Sequence, residues 1–199
     1  MSVRGLRAEH AGKTRAALMQ AARELFAERG FGGVAAEEIV QRAQVTRGAL
    51  YHHFKDKKDL FGAVCDELGA ELAKSIEDAA MPIAATDPWG AIVAGVDAFL
   101  DACMHGDFHR IVIVEAPVVE GWDEWRAHAE AHELGLIKAG IQLAMDAGAM
   151  RDGPVDTLAA MLFAVLNEGG MLIGRAKDRK AARQDVGESI ARVLEGLRA

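Results

Sequence analysis

The sequence predicts an all-α protein built from a small N-terminal unit of three helices and a larger C-terminal helical bundle. The 199 residues are 51% hydrophobic and 27% charged with only 4 prolines, a composition typical of a helical globular protein. Apolar residues recur three and four positions apart through most of the chain, as on the buried face of a helix. Residues 1–60 hold 11 Lys and Arg against 7 Asp and Glu, whereas residues 61–199 hold 12 against 23. This asymmetry predicts that the basic N-terminal part, here called the head, binds a polyanion. The acidic C-terminal part, here called the body, is expected to have another role.

Two helices are predicted before the most basic part of the chain. The first is expected from Thr14 onward, because apolar residues such as Leu18 and Leu25 share one face, and Gly30 ends it as a left-handed cap. The second is shorter, carries Ile39 on its inner side and ends near residue 44. Two glutamates in its first turn are favoured by the helix dipole.

The third helix is predicted within residues 45–61. Thr46 is a typical N-cap for it, Leu50 is its inward residue, and Asp56 begins a long fourth helix. The segment contains one arginine, three lysines, two adjacent histidines and a tyrosine. A helix that enters the major groove needs donors for base edges and phosphates, and this segment supplies them. A solvated basic face on an ordinary helical bundle is the alternative interpretation.

The run GFGGVAAEEIVQRAQVTRGALYHHFKDKKDLFGAV resembles the N-terminal DNA-binding domain of the TetR family of transcriptional regulators. The resemblance covers about residues 12–65 and has the family's order of helix, Gly-Phe, helix, short turn, recognition helix and Tyr-x-His-Phe-x-x-Lys. It implies a helix-turn-helix unit whose recognition helix runs from about residue 46 to 52. By resemblance, DNA is contacted by Thr46, Arg47, Gly48, Tyr51 and His52, with His53 near the phosphates and Lys57 gripping the DNA backbone.

The chain departs from the family pattern at two places. Val34, Ala35 and Ala36 stand where members often have threonines, so a hydroxyl contact to phosphate is missing. The turn before the third helix has Gln44 where glycine is common. Either Gln44 adopts a left-handed conformation at a modest cost or the turn differs in shape.

Beyond about residue 72 the resemblance is to the family's architecture, in which a variable helical bundle binds a small effector and forms a dimer. We predict a helix-turn-helix DNA-binding domain in residues 1–55, a linking fourth helix in residues 56–79, and an effector-binding and dimerisation domain in residues 80–199. Prolines and glycines divide the last part into helices near 88–105, 108–118, 122–147, 154–175 and 180–197.

The segment IVIVEAPVV, residues 111–119, is dense in β-branched residues and alone resembles a buried strand. No other segment offers a convincing partner strand, and a lone strand cannot satisfy its backbone hydrogen bonds. We therefore predict a short, wholly buried helix that Pro117 ends.

The late apolar helices are candidates for a subunit interface. Residues 155–173 are apolar nearly all round, with two glycines in the middle, which predicts burial on every side. Intramolecular core is the simple explanation, whereas the family resemblance favours a homodimer interface shared with the helix near 180–197. The predicted interface residues are Leu158, Met161, Leu162, Val165, Val186, Ile190, Val193 and Leu194.

A small-molecule pocket is predicted in the C-terminal bundle. Effector sites are mainly apolar with few polar groups, so we expect a hydrophobic or aromatic effector. His128 and His132 lie four apart on one helix, a spacing that suits a metal, but no third ligand is suitably spaced and no metal or cofactor is predicted. Residues of these types more often belong to the core than to a pocket. The candidates are Phe99, Met104, Trp122, Trp125, His128, Met145, Phe163 and Asn167.

Several other classes of protein are disfavoured. The chain has no G-x-S-x-G, P-loop, G-x-G-x-x-G or H-E-x-x-H motif, and no catalytic residue is predicted. Cys65 and Cys103 lack the paired spacing of a zinc site and are expected to be buried thiols. The N-terminus has no apolar core typical of a signal peptide, so a cytoplasmic location without membrane contact is expected.

These observations predict a sequence-specific transcriptional regulator that binds a pseudo-palindromic operator as a dimer and is a repressor relieved by a ligand. A protein of a different class remains as the alternative. It is a helical ligand carrier or interaction module whose basic segment docks an acidic partner. Sequence-dependent affinity for DNA separates the two.

Overall fold

A computed structural model describes residues 3–199, with side chains from residue 9 onward. The all-α prediction is confirmed: helices and short turns make up the described chain, and its only β-type pairing is an isolated bridge between Met150 and Arg198. The first half comprises α1 (Val3–Arg29), α2 (Ala36–Arg42), α3 (Arg47–His53), α4 (Lys57–Ala84) and α5 (Pro88–Ala102). The second half comprises α6 (Gly106–Phe108), a π-helix (His109–Glu115), α7 (Ala116–Val119), α8 (Trp122–Ala131), α9 (Glu133–Asp146), α10 (Val155–Arg175) and α11 (Arg179–Glu195).

Local hydrogen bonds set the start of α3 and α4. The Thr46 hydroxyl oxygen accepts from the Ala49 amide at 3.2 Å, and an Asp56 carboxylate oxygen accepts from the Asp59 amide at 2.9 Å. Both predicted caps are therefore confirmed, and each satisfies an amide that the helix itself leaves unpaired. Gln44 has φ 55°, so a non-glycine residue does take the left-handed position of the turn.

The boundaries of α1 differ from the prediction at one end. The helix ends at Gly30 with φ 76°, as expected of a glycine cap, but it begins at Val3 and not near Thr14. The polar residues before Thr14 favour helix without contributing an apolar stripe, so periodicity alone could not extend the helix.

The long helix α4 joins the head to the body. Its first turns bury Leu60 and Phe61 against the head, and Leu68 and Leu72 are buried further along the same helix. A single hydrophobic cluster extends from α1 through α4 to α11. The head and the body therefore share a continuous core.

The segment of β-branched residues is helical, as predicted, but it differs in two ways. Residues 109–115 form a π-helix and α7 continues through Pro117 to residue 119, because Pro117 lies in the first turn of α7, where a missing N–H costs little. The segment is also not wholly buried. Ile111 and Ala116 face the core, whereas Val118 on the opposite side is 83% exposed.

The predicted helix near 122–147 is two helices, interrupted at His132. His132 has φ −119° and ψ −79°, which breaks the helical path. The break sets the imidazole against α4, where a Cβ on Gly69 would lie only 2.9 Å from His132 Cδ2. Close packing on α4 therefore accompanies the interruption.

Helix α10 is long and apolar enough, by length and composition, to cross a membrane, and it is the single such helix in the part of the chain that the structure describes. Only 33% of its most apolar window is buried within the protomer. Much of this apolar helix is consequently available to another surface.

Candidate functional site

The outward face of α3 combines hydrogen-bond donors with an anchored backbone. Leu50 is fully buried beneath the helix, while Arg47, Tyr51 and His52 are exposed. The Arg47 side chain is 67% exposed, lies 3.0 Å from a Glu37 carboxylate oxygen and has its guanidinium carbon 5.5 Å from the Tyr51 ring centroid. These contacts hold Arg47 on the surface beside Tyr51, where a base edge could replace Glu37 as its partner.

The other predicted DNA contacts lie on or beside the same face. Thr46 and Gly48 are exposed, and a Cβ on Gly48 would meet only the Thr46 hydroxyl at 3.9 Å. Packing within the protein therefore does not require glycine at this position, while its absent side chain leaves room for a close approach from outside. His53 is half-buried, with its ring centroid 5.2 Å from that of His52.

Lys57 has contacts that differ from its predicted role. Its Nζ donates to the carbonyl oxygens of Phe31 at 2.8 Å and Val34 at 2.7 Å, and it lies 4.0 Å from the Phe31 ring centroid. Burial lowers the pKa of this ammonium group. In this structure Lys57 ties the turn between α1 and α2 to α4, and the contact to the DNA backbone remains a prediction.

Lys55 is a basic residue that the sequence reasoning missed. It is exposed, and its ammonium group takes part in none of the ion pairs among the described residues, whereas Lys58 lies 2.7 Å from a Glu124 carboxylate oxygen. Its position directly after α3 and the buried Phe54 was the available signal. Lys55 is therefore better placed than Lys57 to neutralise a phosphate.

Replacing Lys57 with methionine should destabilise the protein by about 1–3 kcal/mol, because two partly buried carbonyl groups lose their donor. Lys55→Met should leave stability unchanged and reduce the salt dependence of DNA binding by about one phosphate contact. Urea unfolding and anisotropy titrations at several salt concentrations measure the two effects. The assignment is wrong if Lys57→Met lowers the salt dependence without a loss of stability.

The π-helix of the body holds the turn between α1 and α2 from the other side. A carboxylate oxygen of Glu115 accepts a hydrogen bond from the Phe31 amide, and Arg110 donates to the Glu28 carbonyl oxygen at 3.3 Å. A Cβ on Gly30 would overlap the Glu115 carboxylate. Lys57 of α4 and the π-helix of the body therefore both stabilise the turn between α1 and α2.

Two adjoining cavities lie in the body. The larger, about 170 Å³, is enclosed by α4, α5, α9 and α10 and has almost entirely apolar walls. The smaller, about 20 Å³, reaches toward Glu120 and the π-helix residues Val112 and Ile113. Phe99, Phe163 and Glu133 line both cavities, so the two are neighbours that share part of their walls.

The structure brings together five of the eight predicted pocket residues. Phe99 and Phe163 line both cavities, and Trp125, His128 and Asn167 line the smaller one. The other three line neither cavity. Trp122 is exposed at the start of α8, Met145 is buried in a separate cluster between α9 and α10, and Met104 packs at the edge of the main core.

His128 on α8 and His132 at the end of this helix both lie close to Asp66 of α4. His128 Nδ1 lies 2.9 Å from a carboxylate oxygen of the buried Glu120, and this hydrogen bond raises the pKa of His128. His128 Nε2 and His132 Nε2 lie 3.6 Å and 3.5 Å from one Asp66 oxygen. Within the described residues, no group of three or more His, Cys, Asp and Glu side chains is arranged to hold a metal ion.

Both cysteines are buried and unbonded, as expected. Burial raises the pKa of each thiol, that of Cys103 to about 12. Neither sulfur is therefore a reactive thiolate at neutral pH.

The predicted interface residues divide into two sets. Leu162, Val186, Ile190 and Leu194 are buried within the protomer, so the assignment of these four to a subunit interface is not supported by their packing. The two glycines of α10 explain part of this, because a Cβ on Gly169 would lie 2.9 Å from Val186. The outward set comprises the partly exposed Leu158 and Val165 and the exposed Met161 and Val193, together with Leu172, which the sequence reasoning missed.

Two protein-family models match the chain. The model described as bacterial regulatory proteins, tetR family, matches residues 18–64, and that of the tetracyclin repressor-like C-terminal domain matches residues 89–197. Together they include the candidate DNA-contacting face and most of the cavity residues.

Individual proteins agree with these matches. The chain is 30% identical over 135 residues to the transposon Tn10 TetC protein of Escherichia coli, which covers 66% of this chain and slightly less than two thirds, 65%, of that protein. It is 31% identical over 137 residues to the transcriptional repressor DhaR of Mycobacterium sp. strain GP1, covering 61% of this chain and 68% of DhaR. A TetR-family transcriptional regulator from Pectobacterium atrosepticum has a crystal structure that superposes with a TM-score of 0.80 at 27% identity, covering 96% of this chain and 97% of that one.

Proposed function

Because the chain belongs to the TetR family of bacterial regulatory proteins, we propose that it is a sequence-specific transcriptional repressor that binds DNA as a homodimer and leaves it when a small effector binds. The observation that carries this proposal is the exposed face of α3. It presents Arg47, Gly48 and Tyr51 together, above a buried Leu50 that fixes the helix on the head. Such a face suits direct contact with base edges in the major groove.

We assign a separate function to each of three parts of the chain. Residues 1–55 bind DNA, residues 56–79 of α4 form the link, and residues 80–199 bind the effector and the second protomer. Cytoplasmic location without membrane contact is part of the same proposal, because the apolar surface of α10 is assigned to a partner protomer. Two heads of a symmetric dimer then meet a pseudo-palindromic site with half-sites about 34 Å apart.

The outward stripe of α10, with Val193 of α11, is the proposed dimer face. Met161 and Leu172 are 63% and 52% exposed and lie on the same side of α10 as the partly exposed Leu158 and Val165. Pairing this face with its copy removes both from water. The proposed dimer face therefore consists of the exposed sides of α10 and α11 and leaves out four residues that the sequence predicted for it. These are the buried Leu162, Val186, Ile190 and Leu194.

The cavity of about 170 Å³ is the proposed site of a hydrophobic or aromatic effector. A coupling route to the head is available because Val112 and Ile113 line the adjoining small cavity, and Glu115 of the same π-helix holds the Phe31 amide. An effector that favours a shifted π-helix would release this turn and move the heads. Its influence on DNA affinity is limited to its differential affinity for the two arrangements.

Replacing Glu115 with alanine should accelerate hydrogen exchange of the Phe31 amide by about tenfold or more, because the amide loses its acceptor and the turn opens more easily. Amides within α3 should be unaffected. Exchange followed by mass spectrometry or NMR measures this, with Asp123→Ala, an exposed acidic residue of α8, as the control. Unchanged exchange at Phe31 would remove the π-helix from the coupling route.

The test of the proposed function is retention of genomic DNA fragments from the encoding organism at about 150 mM salt, where non-specific attraction is screened. A repressor retains a small set of defined fragments. Uniform retention, or none, would instead favour a helical carrier or interaction module whose basic segment docks an acidic partner.

A further inference from the structure

We propose that the effector cavity selects a lipophilic amine about the size of one aromatic ring, held through the carboxylate of Glu133. This inference deepens the proposed effector function and rests on it. It names the chemical class that the cavity recognises.

Glu133 is an unusual acidic residue. It opens α9, is only 7% exposed and lines both cavities. The ion pairs and side-chain hydrogen bonds among the described residues include none from its carboxylate to another residue. Burial raises its pKa to about 7, so the group is divided between charged and neutral forms near neutral pH. Among the described residues the carboxylate accepts a hydrogen bond only from its own backbone amide, whereas a buried polar group normally bonds to other residues or to ordered water.

The nearest cationic group to this carboxylate is His128, whose charge opposes the rise in the pKa of Glu133 but whose Nδ1 is bonded to Glu120. One Glu120 oxygen lies 2.9 Å from His128 Nδ1, while the second has no hydrogen-bond partner in the described chain. Neither cavity has a lysine or arginine in its walls. A cation in the larger cavity would therefore meet the buried Glu133 carboxylate, with the Glu120 carboxylate in the wall of the adjoining smaller cavity.

The walls of the larger cavity restrict the size and polarity of the rest of the ligand. Apart from Glu133 and the exposed Glu77, the larger cavity is enclosed by apolar or uncharged residues, including Ile92, Phe99 and Phe163. Its volume of about 170 Å³ is close to that of an apolar cavity of about 150 Å³ that holds benzene. Aromatic rings also attract cations through their faces. A single ring or short chain that ends in an ammonium group fits both the volume and the charge.

Three molecules with one skeleton separate charge from shape: 2-phenylethylamine, 2-phenylethanol and phenylacetate. Calorimetric titration of the full chain without DNA should give an affinity for the amine at least about tenfold above that for the alcohol, since only the ammonium makes a charge-assisted hydrogen bond. Phenylacetate should not bind measurably, because it places a third carboxylate in the site. Equal affinities for amine and alcohol, preference for phenylacetate, or no binding of any probe would overturn the proposal.

Two glutamine variants locate the recognition. Glu133→Gln should reduce the preference for the amine to about threefold or less and leave the affinity for the alcohol nearly unchanged. Glu188→Gln removes the same charge from an exposed position of α11 that lines neither cavity and should keep the full preference. An amine preference that survives Glu133→Gln contradicts the assignment.

DNA binding, measured separately, keeps the two proposals distinct. If the protein retains specific DNA but shows no amine preference, this inference fails alone. If it binds the amine but no specific DNA, the repressor function fails and the ligand class stands.

Discussion

Lysine at both Met161 and Leu172 is expected to convert the dimer into monomers and to lower operator affinity by about 100-fold or more. Both side chains are exposed in the protomer, so the substitutions should not disturb its fold. In the proposed dimer they would bury unpaired charges against like charges, which costs several kcal/mol. A monomer then binds each half-site alone and loses the benefit of the linked second head.

Sedimentation velocity and DNA anisotropy measure the two effects. Val118→Lys is the matched control, because it also replaces a highly exposed apolar residue with lysine but lies on α7, away from the proposed interface. It should remain dimeric with normal affinity. A double variant that stays dimeric, or a wild-type protein that is monomeric at micromolar concentration, contradicts the proposed interface.

Arg47→Ala is expected to cause the largest loss of sequence discrimination. A bidentate arginine contact to a base contributes about 1–3 kcal/mol, so a dimer with two half-sites should lose about 2–6 kcal/mol. Stability should be unchanged, because Arg47 contacts only exposed side chains. The measurement is the ratio of affinities for the operator and for a scrambled duplex.

A second arginine of the head provides the control for this variant. Arg42 lies on α2 and pairs with Glu24 of α1 at 3.0 Å. Arg42→Ala should preserve the affinity ratio even if overall affinity falls slightly. If Arg47→Ala weakened binding to both duplexes equally, Arg47 would be a phosphate contact and not a base reader.

Features set by neighbouring residues could be predicted from the sequence. The cap at Thr46 and the inward Leu50 depend on contacts a few positions away, and the structure has both. At Gln44 the structure has the left-handed conformation, one of the two alternatives that the sequence left open. The contacts of Lys57 could not be predicted in this way. Its carbonyl partners at Phe31 and Val34 lie more than twenty residues earlier and meet it only through tertiary packing.

In α10 and α11, the position of a residue around the helix axis decides whether it lies in the core or on the surface. An apolar residue on α10 can face the core or a partner protomer, and one position decides which: Leu162 is buried and Met161 is exposed. In α11 the predicted interface stripe divides in the same way, because Val186, Ile190 and Leu194 pack inward while Val193 is exposed. Periodicity identifies an apolar face but does not identify what covers it.

The residues that line the cavity could not be identified from residue type alone. Trp122 and Met145 were chosen as pocket residues for their chemical character, yet one is exposed and the other is packed in the core. Nothing in the sequence singles out Glu133, because acidic residues usually lie on the surface. In the structure it is the first residue of α9, directly after the helix interruption at His132, and it is buried.

Selection of duplexes from a random DNA pool, performed in parallel with the wild-type protein and Arg47→Ala, tests most directly whether α3 reads operator DNA. We expect that the wild-type protein enriches an inverted repeat with half-sites about 34 Å apart, roughly ten base pairs, and that Arg47→Ala loses preference at one base position in each half. An absence of any enriched sequence, or the same motif from both proteins, would contradict it.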